Sequence, residues 1–206
     1  MRLGILVSGR GSNLDAVLDA VADGRLPDVE PALVIANRHG VRALEVAARR
    51  GVRWRVLART DFPDADARDA AVGVALEEAG CALALLAGYD QLLGPPYFEA
   101  YTGWTINLHP SLLPRHGGWG MTGLAVHASV LASGDAETGV TIHDVTEELD
   151  AGPPIVQVRI PVEAGESVSE LADRVLAVEH RTVVEVLARL SASMSAAPPA
   201  PIRARR

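Results

Sequence analysis

Lysine is absent from this chain of 206 residues: all 19 of its basic residues are arginines. A Schiff-base lysine and the phosphate-gripping lysine of a P-loop are therefore excluded. Cysteine is nearly absent. The single Cys81 cannot form an internal disulfide, which fits a reducing compartment. It lies in the apolar run from Cys81 to Ala87, where a small buried hydrophobe is expected rather than a nucleophile. Aromatic residues make up only 4% against 49% hydrophobic residues, so the core must rest on Ala, Val, Leu and Ile. Long apolar runs are missing too. The stretch after Arg2 stops at Ser8-Gly9-Arg10-Gly11, too soon for a secretory signal, and nothing approaches the ~20 apolar residues of a membrane span. A cytoplasmic location without a membrane partner is expected. The formal net charge of −7 disfavours a nucleic-acid partner. The histidines at 39, 109, 116, 127, 143 and 180 lack ligand spacing such as H-E-x-x-H, so no metal is expected. Ser111 lacks the G-x-S-x-G elbow of a serine hydrolase.

What is present is a regular alternation. Leu3 to Val7, Ala32 to Ala36, Val52 to Leu57, Ala82 to Ala87 and Thr105 to His109 read as strands. Between them, Asn13 to Ala22, Val41 to Arg50, Asp64 to Ala79 and Pro95 to Tyr101 read as helices, three of them followed by glycine. The second half carries a glycine-rich loop from Gly117 to Gly123, a helix from Leu124 to Ala132, strands at Val140 to Val145 and Ile155 to Ile160, and a long helix from Val168 to Leu190. The expected fold class is α/β: a doubly wound, mostly parallel sheet with helices on both faces, whose ligands sit beyond the carboxyl ends of the strands. One domain over 1–191 is expected, with a phosphate-binding half (1–100) and a catalytic half (101–191). The Ala/Ser/Pro/Arg tail, 192–206, is expected to be disordered.

Two segments carry polar groups where a crevice is expected. Ser8-Gly9-Arg10-Gly11-Ser12-Asn13-Leu14 joins the first strand to the first helix. Free N–H groups and the helix dipole favour an anion there, and Ser12 and Asn13 can donate to it or cap the helix. Leu14 stands where a dinucleotide fingerprint wants a third glycine, so a phosphate monoester suits the loop better than a dinucleotide. A tight turn with an N-cap fits the same residues equally well. In Thr105-Ile106-Asn107-Leu108-His109, period-2 geometry puts Asn107 and His109 on one face at the strand's carboxyl end. An amide and an imidazole aimed at one point can hold an oxyanion.

Asn107-Leu108-His109-Pro110-Ser111-Leu112-Leu113-Pro114 resembles the signature of the folate-dependent formyltransferases. The resemblance continues through the Ser8 to Leu14 loop, Leu86-Ala87-Gly88, Gly134-Asp135, Gly139 to Thr141, Glu148-Leu149-Asp150, Gly152-Pro153 and Glu179-His180, in the expected order. It covers roughly residues 1 to 190 and points to the branch that acts on glycinamide ribonucleotide. The resemblance implies direct transfer of the formyl group of 10-formyltetrahydrofolate, a co-substrate, to the ribonucleotide amine, a step of purine synthesis without a metal. It implies that Asn107 and a protonated His109 hold the oxyanion, with Asp150 against His109. It assigns Gly11, Ser12 and Asn13 to the substrate phosphate and Glu179 to the ribose. It assigns Tyr89, Asp90, Gln91, Leu92 and Leu93, together with Asn107, Val145, Thr146 and Asp150, to the folate. The partners are then small molecules, and the chain is expected to be a monomer or homodimer.

The chain departs from the family pattern in places. Asp90 and Gln91 stand where relatives often have an apolar residue and an arginine, and Ala125 where they often have histidine, which leaves His127 as an outer candidate. The His116 to Gly123 loop is long, and Trp119 and Met121 suit a flap over substrate. A formyltetrahydrofolate hydrolase shares the Asn, His and Asp, but is expected to carry a further N-terminal domain and has no use for a phosphate loop. A methionyl-tRNA formyltransferase is expected to carry a further C-terminal domain. A non-catalytic nucleotide- or folate-binding module would keep both sites without needing His109.

Overall fold

The computed structural model describes residues 1–196, with side chains up to Met194. Along the chain run β1 (Arg2–Val7), α1 (Ser12–Ala22), β2 (Glu30–Ala36), α2 (Arg42–Arg49), β3 (Trp54–Val56), a one-turn 3-10 helix (Arg59–Asp61), α3 (Ala65–Glu78) and β4 (Leu83–Leu86). There follow α4 (Pro95–Ala100), β5 (Trp104–His109), α5 (Leu124–Ser133), β6 (Glu137–Asp144), β7 (Pro154–Pro161) and α6 (Val168–Ala196). The seven strands form one sheet in the order β3-β2-β1-β4-β5-β6-β7. The first five are parallel, and β6 and β7 extend the sheet antiparallel.

Both faces of the sheet are covered, and the strand period shows how. Leu3, Ile5 and Val7 of β1 and Leu83 and Leu85 of β4 belong to one apolar cluster with α1, α2 and α6. Leu6, Ala84 and Leu86 point the other way, into a second cluster with α3 and α4. Continuous apolar strands are what a sheet buried on both sides requires. At about 1.5–3 kcal/mol for each fully buried large aliphatic side chain, these two layers supply the main stabilising term. With aromatics scarce, Tyr89, Tyr97 and Tyr101 of the second layer are the exceptions. Tyr97 is fully buried and exchanges a 2.7 Å hydrogen bond with Thr105 Oγ1.

Order reverses at β1: the chain winds outward to β3, then returns to lay β4 on the other side of β1. This is the topological switch point at which doubly wound sheets form crevices. Ser8 N donates to Gly88 O at 3.1 Å and Asp90 N donates to Ser8 Oγ at 2.9 Å, so the loops after β1 and β4 meet there.

Two expectations are corrected. Ser12 and Asn13 do not cap α1: Gly11 is the capping residue, in the left-handed region at φ 75, and no side chain caps the helix. The Asn13 amide is drawn to α6 instead. The tail expected to be disordered from 192 begins as helix, because α6 runs to Ala196. Alanines favour the helix, Ser193 Oγ bonds back to Leu190 O at 2.9 Å, and the first proline comes only at 198. The rest of that expected tail, 197–206, lies outside the described residues. Among the described residues no helix is long and apolar enough to cross a membrane.

Candidate active site

Strand β5 delivers Asn107 and His109 to the carboxyl edge of the sheet. Ile106 and Leu108 enter the first apolar cluster, so the two polar residues share the opposite face. The antiparallel neighbour β6 pairs His143 with Asn107 and Thr141 with His109. The connection from β6 to β7 then folds back. Asp144 N donates to Pro153 O at 3.0 Å, and Asp150, at φ 53, turns its carboxylate over the end of β5. Asp150 Oδ2 lies 3.8 Å from His109 Nδ1, and Oδ1 lies 3.5 Å from Asn107 Nδ2. The resemblance in sequence sets Asp150 against His109. The fold makes it a turn residue whose side chain meets both polar groups of β5.

Hydrogen bonding orients this cluster. His143 Nδ1 is 2.8 Å from Asp144 O, a pure acceptor, so Nδ1 carries the hydrogen and Nε2 offers a lone pair. Asn107 Nδ2 donates to that lone pair at 3.1 Å. Burial holds the His143 ring below the ordinary histidine range, which keeps it neutral and able to accept. Asn107 therefore has one hydrogen committed to His143, while its 3.5 Å contact with Asp150 is long enough to be exchanged for an incoming oxygen. His127 is also buried, and desolvation, with a smaller effect of nearby His109, lowers its pKa.

The long loop touches this centre. Gly118 N donates to Asp150 Oδ2 at 2.8 Å. A Cβ on Gly117 would meet Leu113 Cδ2 at 2.6 Å and Asp150 Cβ at 3.3 Å, so a larger residue here would have to displace the Leu113 side chain and press on Asp150. Trp119 stands 83% exposed at the tip, while Met121 is half-buried.

The second group of expected residues gathers at the switch point. Gly11 is pressed against α2, where a Cβ would meet Ala43 Cβ at 2.7 Å. Ser12 is half-buried and opens α1. Asn13 Nδ2 donates to Glu179 Oε2 at 3.1 Å, joining residues 166 positions apart. Burial pushes the Glu179 carboxyl up to about 7, opposed by the Asn13 bond. Asn13 Oδ1 is buried without a hydrogen-bond partner among the described residues.

Between the two groups runs the segment 89–94. Tyr89 is buried, its hydroxyl without a partner among the described residues and pushed up to about 12 by burial. Asp90 pairs with Arg38 and accepts from Asn37 Nδ2 at 2.7 Å. Leu93 is buried and Leu92 exposed. Beneath them lies Arg68, 2% exposed and missed in the sequence. It bonds Asp69 Oδ1 at 2.9 Å, Gln91 Oε1 at 2.8 Å and Leu92 O at 3.0 Å. Asp69 Oδ2 in turn accepts from Gly94 N at 2.8 Å. Val145 N donates to Thr105 O at 3.0 Å, and Thr146 is exposed. Cys81 is buried away from this site, its thiol pushed up to about 11 by burial. Among the described residues no group of three or more His, Cys, Asp or Glu could hold a metal ion.

A family model described as formyl transferase matches residues 1–187. The chain belongs to the formyl transferase family. It is 35% identical over 180 residues to the phosphoribosylglycinamide formyltransferase of Escherichia coli strain K12, covering 87% of this chain and 82% of that protein. It is 37% identical over 191 residues to the trifunctional purine biosynthetic protein adenosine-3 of Drosophila pseudoobscura pseudoobscura, covering 92% of this chain but only 14% of that longer protein. A solved structure of glycinamide ribonucleotide transformylase 1 from Symbiobacterium toebii superposes with a TM-score of 0.87 at 37% identity, covering 94% of this chain and 88% of that one. The expected formyl transferase architecture, a mostly parallel α/β sheet with helices on both faces, is the one this chain adopts.

Proposed function

We propose that this formyl transferase moves the formyl group of 10-formyltetrahydrofolate to the amino group of glycinamide ribonucleotide, in the cytoplasm, as a step of purine biosynthesis. The observation that carries the reading is the meeting of Asn107, His109 and Asp150 beyond β5, beside a glycine loop joined to Glu179.

The residues suit the two substrates. Uncapped N–H groups at the start of α1 and the exposed Arg10, which has no ion-pair partner among the described residues, suit a phosphate. The Glu179 carboxyl and the unpartnered Asn13 Oδ1 both accept, as ribose hydroxyls require. Backbone groups of Tyr89 to Leu93 and of Val145 and Thr146, with the leucine side chains, suit the flat polar edge and apolar body of a pterin. The amine attacks the formyl carbon, and its carbonyl oxygen gains negative charge. Asn107 Nδ2 and a protonated His109 Nδ1 donate to that oxygen, while Asp150 balances the imidazolium. Collapse breaks the bond to the folate nitrogen. The proton lost by the amine is gained by that nitrogen, with His109 and Asp150 as the groups able to carry it.

The test is release of the deformylated folate with and without glycinamide ribonucleotide. Release should require the ribonucleotide and should stop in His109→Ala, with ribonucleotide binding retained. Release indifferent to the ribonucleotide would make the enzyme a hydrolase. Binding of both ligands without release, unaffected by His109→Ala, would make it a binding module.

A further inference from the structure

The two ring nitrogens of His109 are not equivalent. Nε2 lies 2.8 Å from the main-chain carbonyl of His116, and a carbonyl can only accept. The neutral ring is thereby the Nε2–H tautomer, and Nδ1, facing Asp150, is the nitrogen at which a proton arrives or leaves. The carbonyl that imposes this choice is held in an unusual way. His116 sits at φ 55, in the left-handed region that residues with a Cβ seldom adopt. Its imidazole is gripped at both nitrogens: Nε2 is 2.8 Å from Asp135 Oδ2 and Nδ1 is 2.9 Å from Ser129 Oγ. Asp135 also receives Arg115, and its carboxyl is held below the usual range first by the His116 bond. The Ser111 hydroxyl bonds Arg115 O at 2.7 Å and approaches His116 O at 3.5 Å, so the same turn is fastened from below. Beyond His116 come Gly117, Gly118 and Gly120, which give the backbone little stiffness of its own.

We infer that His116 is a positioning residue for the transfer. Its side-chain clamp to Asp135 and Ser129 fixes its own carbonyl against His109 Nε2, and so makes Nδ1 the nitrogen that handles the proton. The inference rests on His109 being the transfer residue, but its structural half can be read without turnover.

Nitrogen-15 histidine spectra of the full chain, at a pH where the ring is neutral and with His109 assigned through His109→Ala, should show the Nε2–H tautomer. His116→Gly keeps the left-handed backbone and removes the clamp. It should give a mixture of His109 tautomers and lower kcat about ten- to a hundredfold, with KM for both substrates little changed. His116→Asn tolerates the same backbone and places an amide where Nδ1 meets Ser129 but not where Nε2 meets Asp135, so it should recover only part of kcat. If His116→Gly does not fold, the pair Ser129→Ala with Asp135→Asn carries the same test. An Nδ1–H tautomer in the unmodified chain, or a His116→Gly variant unchanged in tautomer and kcat, would overturn the inference. Transfer that survives His109→Ala would instead overturn the reading of His109, and the tautomer would still judge the clamp.

Discussion

Glu179 shows what a single buried carboxyl implies for the molecule. Its folded pKa of about 7 stands above the ordinary 4.5 because burial penalises the charge. The folded state therefore holds the proton more tightly than the unfolded chain. The stability this contributes is fully present below pH 4.5 and is lost as pH rises through about 7, a change of about 3 kcal/mol. Glu179→Gln should have a higher urea midpoint than the unmodified chain at pH 8, and the two should converge near pH 5. Equal midpoints at pH 8 would show that Glu179 is not desolvated. At the proposed catalytic end, Asp150→Asn should lower kcat by about 10²- to 10⁴-fold with KM nearly unchanged, because the proposed imidazolium of the transfer step would lose its counter-charge. A loss confined to KM would move Asp150 out of the transfer step. Asn107 and His109 were legible as a pair, because period 2 alone puts them on one face. His143 was not, since its role as acceptor for Asn107 exists only once β6 pairs with β5.

The elements were legible where local patterns decide them. Apolar runs gave the parallel strands, and glycines and prolines gave most helix ends. Patterns failed where the cause is distant. The Asn13 side chain could have capped α1, but Glu179 on α6 competes for it. Arg68 reads as one more charge on a helix, yet α3 buries it beneath segment 89–94. There it ties Asp69, Gln91 and Leu92 together, so its removal strands a buried carboxylate. Arg68→Met should cost about 3–5 kcal/mol in urea unfolding and raise KM for the folate more than for the ribonucleotide. A stability loss below about 1 kcal/mol would mean that water reaches Asp69. At the loop between β1 and α1, Ser12→Ala with Asn13→Ala should raise KM for the ribonucleotide. An effect on folate alone would mean that the phosphate lies elsewhere.

At the scale of the whole molecule, topology brings the two proposed substrate regions together. The sheet reverses order at β1, so the loops after β1 and β4 share a crevice, and β5 opens beside it. The antiparallel pair β6 and β7 then lets one connection swing Asp150 back over β5. The fold class was readable from the alternation of elements. The return of Asp150 was not, because it depends on the pairing of strands far along the chain. The most direct measurement of the central claim follows a carbon-13-labelled formyl group by NMR, from 10-formyltetrahydrofolate in the presence of glycinamide ribonucleotide. If the chain transfers the group to the amine, the label will appear as a formamide on the ribonucleotide. Label appearing as free formate, whether or not the ribonucleotide is present, would contradict that transfer.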